Sequence, residues 1–372
     1  MLNSLLLCSL AQLPEPTFGD GIVMSIAEVR ARPTSGDEWK NLLSWASRFE
    51  PVDMSNPDSH GDVVALAKAM VGVRLRDRAM LGDARDMILA GIGTEAGALE
   101  ALAPARNLPP VIVAWYDLLL KAPVSYPVVS IEQYRRFKAW VEYMIDETTI
   151  WDNRSLVSTF LRRPNNWGTN AGFALIAARV ALRREQEIVE HAKVFYGWVG
   201  NRSMYDDFDF DGNQWHPDPK DRRPINPVDS YIPDRVGHAF RPMDGGLPDE
   251  LRRDVSYDND TEEEPFYWPP PEQNYCWGSM QGAVMQAIVL GRLGYDVWRW
   301  ESRALKRASD WLHTYPDRDP YDNDPPGYPA DGDDEQIPHV LNKFYANVLE
   351  VPYPVETPAS PMKNFIGLDW LY

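Results

Sequence analysis

From Asp37 to Leu349 the chain is a series of stretches with apolar residues at helical intervals, most separated by only a few residues. Trp39, Leu42, Leu43 and Ala46 share one side of a short helix. Residues 63–71 (VVALAKAMV) form a strongly apolar second helix behind the start signal Gly61-Asp62. Residues 80–92 and 96–106 keep helical spacing. Residues 111–120 are apolar almost throughout, the pattern of a helix buried on most sides. Further helices are expected over 131–148, 171–184, 187–197, 278–293, 297–314 and 337–349. Helices joined by short connections pack as antiparallel pairs. No repeat of fixed period accompanies them. The series predicts an all-α fold. Helical hairpins closing into an α/α toroid, an incomplete α/α barrel, fit this count; a bundle or an open superhelix is the alternative.

One stretch breaks the pattern. Residues 201–274 are dense in Pro, Asp, Gly, Asn and aromatics, with little helical period. A loop region this long is functional or disordered, and Tyr205, Phe208, Phe210, Trp215, Tyr231, Phe240, Phe266, Tyr267 and Trp268 argue against disorder. Ordered loops and short strands covering a cleft are expected there. No Gly/Ser linker divides the chain, so residues 25–372 read as one domain. Residues 1–24 read as a leader or remnant signal segment, with a short apolar core but no basic start. If that segment is a signal the protein is secreted or periplasmic, otherwise cytoplasmic. Cys8 lies in it and Cys276 stands alone, which leaves no disulfide and no Cys-based metal site.

The formal net charge of -18 argues against a nucleic-acid or anionic-membrane partner, which would need a basic footprint. No run is long enough to span a membrane. A local basic cleft remains possible, because arginines cluster as Arg162/Arg163, Arg222/Arg223 and Arg252/Arg253. The 14 Trp and 17 Tyr exceed what a core alone asks for, and such rings stack on sugar faces.

Candidate chemistry gathers in a few places. In Arg162-Arg163-Pro164-Asn165-Asn166-Trp167-Gly168, Pro164 breaks the chain just before an apolar helix. One Asn caps that helix; the other is left to meet a substrate carboxylate. In the segment 245–253 (GGLPDELRR), Arg253 supplies a guanidinium whose planar fork matches a carboxylate. In Asn274-Tyr275-Cys276-Trp277-Gly278 a loop re-enters a helix, which puts the Tyr275 phenol at a cleft wall or in the core. Of the six histidines, His238 beside a Gly-Gly turn is the preferred general acid or base, and His191 inside a helix is structural. Asp207, Asp209, Asp211 and Gly212 match the first half of a calcium loop, but the twelfth position is Asp218 and prolines flank it, so a β-turn is favoured and no metal is expected. Asp333, Asp334 and Glu335 read as a solvated helix start.

Four of these stretches together resemble the alginate-lyase-like superfamily of polysaccharide lyases, which have an α/α toroid. Residues 163–168 (RPNNWG) resemble its Asn-Asn-His turn, with Trp167 where the family has His. Residues 247–253 (LPDELRR) resemble its Leu-Pro-x-Glu-Leu-x-Arg segment. Tyr275 before a long helix resembles its catalytic Tyr, and residues 363–370 (KNFIGLDW) resemble the closing segment of some members. The resemblance implies β-elimination on an anionic, uronic-acid polysaccharide without metal or organic cofactor. It implies Asn166 and Arg253 as carboxylate neutralisers and Tyr275 with His238 as the acid–base pair, His238 covering for the missing family His. Asn165, Trp167, Arg163, Tyr257, Trp277 and Arg252 are expected to line the substrate, with Tyr257 a rival to Tyr275. Two other readings stand beside it: a glycoside hydrolase using Asp333/Asp334/Glu335 or Asp249/Glu250, and a polysaccharide-binding protein without catalysis.

Overall fold

The computed structural model describes residues 13–209, 223–225, 231–232, 241–242, 244–247, 249–250, 274–314, 334–363 and 365–372. The helices in chain order are α1 (Ile26–Ala31), α2 (Asp37–Ala46), α3 (Gly61–Leu75), α4 (Arg78–Gly91), α5 (Leu102–Val113), α6 (Ile131–Met144), α7 (Leu156–Arg162), α8 (Asn166–Ala181), α9 (Glu185–Trp198), α10 (Asn274–Arg292), α11 (Trp300–Thr314), α12 (Ile337–Phe344) and α13 (Leu368–Leu371). Apart from a two-residue antiparallel pairing of β1 (Tyr231–Ile232) with β2 (Arg241–Pro242), the regular structure of the described residues is helical, and the fold is all-α. No helix among the described residues is long and apolar enough to cross a membrane.

Local sequence sets the helix starts. Ser25, Ser130 and Ser155 precede α1, α6 and α7 and close capping boxes with Glu28, Gln133 and Ser158. Asp77 caps α4 with its carboxylate.

Burial then sorts the helices into two kinds. All of α5 is buried, as are Gly168–Arg179 of α8 and residues 279–290 of α10. In α3 every residue from Gly61 to Val73 is buried except Lys68, whose ammonium reaches out to the Ala46 carbonyl at 2.7 Å. By contrast α2, α4, α6 and α9 each bury one face only. The most deeply buried helices pack in the order α3–α5–α8–α10; α2 and α4 flank α3, and α7 and α9 flank α8. Each buried Leu, Ile or Val side chain in that inner row contributes about 1.5–3 kcal/mol.

Neighbours α8 and α10 run parallel. Gly278 lies against Asn166, Gly282 against Thr169 and Asn170, and Gly172 against Gln286. The contact thus climbs both helices together. The seam is close because glycines line it: a Cβ on Gly282 would fall 2.5 Å from the Thr169 carbonyl carbon. A buried polar chain crosses it. Arg179 of α8 has only donors, so its Nη1, 3.1 Å from His191 Nδ1, makes that nitrogen the acceptor. His191 Nε2–H then donates to Gln286 Oε1 (2.9 Å), and Gln286 Nε2 donates to the Thr169 carbonyl (2.9 Å). Burial, then the Arg179 charge, hold His191 well below the ordinary imidazole range. His191 is therefore a neutral structural link between α8, α9 and α10, as its place inside a helix predicts.

Several expectations need correction. Residues 96–106 and 111–120 are not two separate helices. A 3-10 turn (Thr94–Gly97) comes first, and α5 then runs through both prolines into a π-helical turn over Ala114–Leu119. Prolines inside a helix remove the N–H bonds to the carbonyls four residues back, here Ala105 and Arg106; burial of the whole helix outweighs that loss. Helix α8 begins at Asn166 rather than 171, so Trp167–Asn170 are already helical. Helix α7 was not expected at all.

Part of the stretch 1–24, read from sequence as a leader, is packed into the protein. Ile22, Val23 and Met24 are buried, and their three N–H groups donate to the Asp117 carboxylate at 2.7, 2.9 and 3.2 Å. The last part of that segment is core.

Candidate active site at the helix heads

The starts of α3, α5, α8, α10 and α12 come to one end of the inner row. Asn107, in the second turn of α5, donates to the carbonyls of Asp53 and Asn56 in the loop that leads into α3. Arg106 reaches Asp58 in the same loop, and the charges acting on it after burial are Asp58, Glu335, Glu100 and Tyr275. Glu335 directly precedes the last turn into α12, and its carboxylate accepts from Gln281 of α10 at 2.7 Å. Each helix start carries partial positive charge, set here among the carboxylates of Asp58, Glu100 and Glu335.

At the head of α8, Asn165 is the N-cap. Its Oδ1 accepts the Trp167 N–H at 3.2 Å, and the residue is wholly buried. Such a cap is worth about 1 kcal/mol. The cap uses Asn165 Oδ1; its Nδ2 is buried without a hydrogen-bond partner among the described residues. Asn166 is also buried. Its N–H donates to the Glu250 carboxylate, its carbonyl accepts from Asn170 Nδ2 at 2.8 Å, and its side chain faces Gly278 of α10. Arg163, the C-cap of α7, lays its guanidinium over the Trp167 ring, 4.1 Å from the centroid. Both are partly exposed and form the open side of the turn.

The Gly-Gly segment is held from α11. Asp244 pairs with Arg307. Gly245 has φ +85°, and a Cβ there would lie 2.1 Å from the Arg307 carbonyl, so only glycine fits. Leu247, Asp249 and Glu250 are buried, which delivers the Glu250 carboxylate to the head of α8. Arg252, Arg253, His238 and Tyr257 lie outside the described residues, as do Asp211, Gly212 and Asp218 of the calcium-like half-motif.

At the head of α10, Tyr275 is partly exposed and acts on Arg106. Trp277 is not a substrate contact: it is 1% exposed and meets His313 edge-on at 5.0 Å between centroids. Two residues apart on a helix face roughly opposite ways, so Tyr275 and Trp277 cannot both look into one cleft. Asp334, the neighbour of Glu335, is buried beside His313 at 3.4 Å.

Two charged groups at this end were not expected. Arg106 is one-tenth exposed at its side chain, and burial lowers its guanidinium from the usual range. Glu100 has its carboxyl raised by burial first, against the pull of Arg163 and Arg106. The available signal for Arg106 was a lone charge inside an otherwise apolar stretch (LAPARNLPPVIV).

Comparison of the chain with protein-family models, curated proteins and solved structures finds no match.

Proposed function

We propose that this protein is a polysaccharide lyase that cleaves a uronic-acid polysaccharide by β-elimination, on an α/α toroid. The observation that carries the reading is the packing of the α10 head, which bears Tyr275, against the Asn166 turn: a Cβ on Gly278 would lie 3.6 Å from Asn166 Nδ2. In a uronate the proton at C5 is too weakly acidic to remove until the carboxylate charge is offset. Amide and guanidinium donors offset it, and they bind the enolate-like transition state more strongly than the ground state. Asn166 and Arg253 are the assigned neutralisers. A base then takes the C5 proton and an acid protonates O4 as the C4–O4 bond breaks. Tyr275 and His238 are the assigned pair. The product carries a C4–C5 double bond at its new non-reducing end. Trp167, with Arg163 stacked on it, offers a flat face for a sugar ring. The inner row of parallel helices with amphipathic helices outside it supports the toroid.

A second reading, a glycoside hydrolase, draws support from Glu335 and Glu100. Both carboxylates act on Arg106, and Glu100 has the raised carboxyl that a general acid needs. One assay separates the readings. The protein is incubated with alginate, polyglucuronate and glycosaminoglycan chains, and the ultraviolet absorbance of the conjugated alkene is followed. Absorbance growing with new reducing ends supports the lyase. Reducing ends without absorbance mark a hydrolase, and binding without either marks a polysaccharide-binding protein.

A further inference from the structure

Arg106 is a nearly buried charge with no close partner among the described residues. Its side chain is one-tenth exposed, and it emerges from α5, a helix buried along its whole length. A guanidinium carries five N–H donors in a planar fork. Among the described residues none of those on Arg106 meets an acceptor at hydrogen-bond distance; the carboxylate oxygen it pairs with, on Asp58, stands at 3.9 Å. Burying a charge without hydrogen bonds is costly, and proteins retain such a group where it does something.

The surrounding carboxylates do not relieve it. Asp58 is largely exposed and is shared with Lys363 at 3.8 Å. Glu335 is held by Gln281 at 2.7 Å. Glu100 is drawn toward Arg163 as well as Arg106. These acids keep Arg106 charged from a distance but leave its fork open. Arg106 lies at the end where the inner helices start, and Tyr275, partly exposed at the head of α10, is among the groups acting on it.

We infer that Arg106 is an anion anchor that takes a carboxylate of the bound uronate chain in its guanidinium fork, beside the Tyr275 phenol. The inference rests on the lyase reading for the identity of the anion and deepens it. The assigned neutralisers act at the sugar being cleaved; Arg106 fixes where along the cleft a charged sugar sits. A planar fork prefers a carboxylate to a hydroxyl, so this residue also selects uronates over neutral sugars.

The test uses the full chain carrying Tyr275→Phe, so that turnover does not intervene. Mannuronate, guluronate and glucuronate tetrasaccharides and their carboxyl-reduced counterparts are titrated by calorimetry. With Arg106 intact, at least one charged probe binds, and its neutral counterpart binds at least about tenfold more weakly. Arg106→Gln lowers affinity for the charged probe on the order of 10- to 100-fold and leaves the neutral probe unchanged. Arg106→Lys, which keeps charge but not the fork, falls between. The inference is overturned if no charged probe binds, if charged and neutral probes bind equally with Arg106 intact, or if both variants keep full affinity. Should Arg106→Gln not fold, the charged-to-neutral ratio and Arg106→Lys still decide. A chain that binds through Arg106 yet yields no alkene from any polyuronate sinks the lyase reading and leaves the anchor standing.

Discussion

A Cβ on Gly172 would lie 2.6 Å from the side-chain amide of Gln286. That amide is not free to swing away, because His191 holds its oxygen and the Thr169 carbonyl holds its nitrogen. Gly172→Ala is therefore expected to lower stability by about 1–3 kcal/mol, the cost of overpacking a closed core. Gly282→Ala should cost more, since its Cβ would strike the backbone of Thr169, which has no rotamer to change. Urea denaturation of the two variants checks the order; equal stability of Gly282→Ala and the natural protein would break the parallel-seam description.

Asp117 is expected to be the fastener of the N-terminal segment. Removing it by Asp117→Ala orphans three buried N–H groups, each costing about 1–3 kcal/mol. Amide hydrogen exchange should show protection lost at residues 22–24. Asp117→Asn should also weaken it, because one carboxylate oxygen becomes an NH2 that faces a donor.

Asp369 gives the stability a pH dependence of defined sign. Burial, with Glu38 nearby, raises its carboxyl from 3.8 to about 7, while the Trp370 N–H at 2.9 Å pulls the other way. Between these values the folded state holds a proton that the unfolded state has released. Stability from this group is then fully present below the unfolded value and is lost as pH rises toward 7. Asp369→Asn keeps an acceptor for Trp370 and cannot ionise, so it should gain on the natural protein between pH 5 and pH 8, by at most about 4 kcal/mol. Denaturant midpoints at those two pH values measure it, and a gain confined to the acid side would refute the assignment.

Tyr275→Phe removes only the phenol oxygen from a partly exposed position. On any polyuronate that the natural protein cleaves, kcat should fall by roughly 10²- to 10⁴-fold, with KM little changed. A variant with full kcat would move the acid–base role elsewhere.

Much of the fold was legible because helical periodicity is local. The caps, the inner helices and the structural role of His191 follow from residue type and spacing alone. The misreadings have a common cause in tertiary burial. Pro109 and Pro110 argue for a break at the level of the chain, yet α5 continues because it is packed on every side. Trp277 was expected to line the substrate, but standing two residues from the partly exposed Tyr275 it turns into the core. Asn165 and Asn166 differ in role only through the helix start between them. Arg106 was passed over because a charge in an apolar run carries no motif; only the convergence of distant segments gives it neighbours.

The shared direction of α8 and α10 has an effect beyond packing. Side by side, their peptide dipoles add rather than cancel, so the helix-head pole carries partial positive charge among its carboxylates while the net charge is -18. An approaching polyanion feels repulsion from the whole body at long range and attraction only near that pole. Added salt screens the distant repulsion first, since its reach at 0.15 M is about 8 Å. Capture of a charged polymer should then quicken as salt is raised from very low levels, the reverse of an oppositely charged pair, and the chain would be met pole-first.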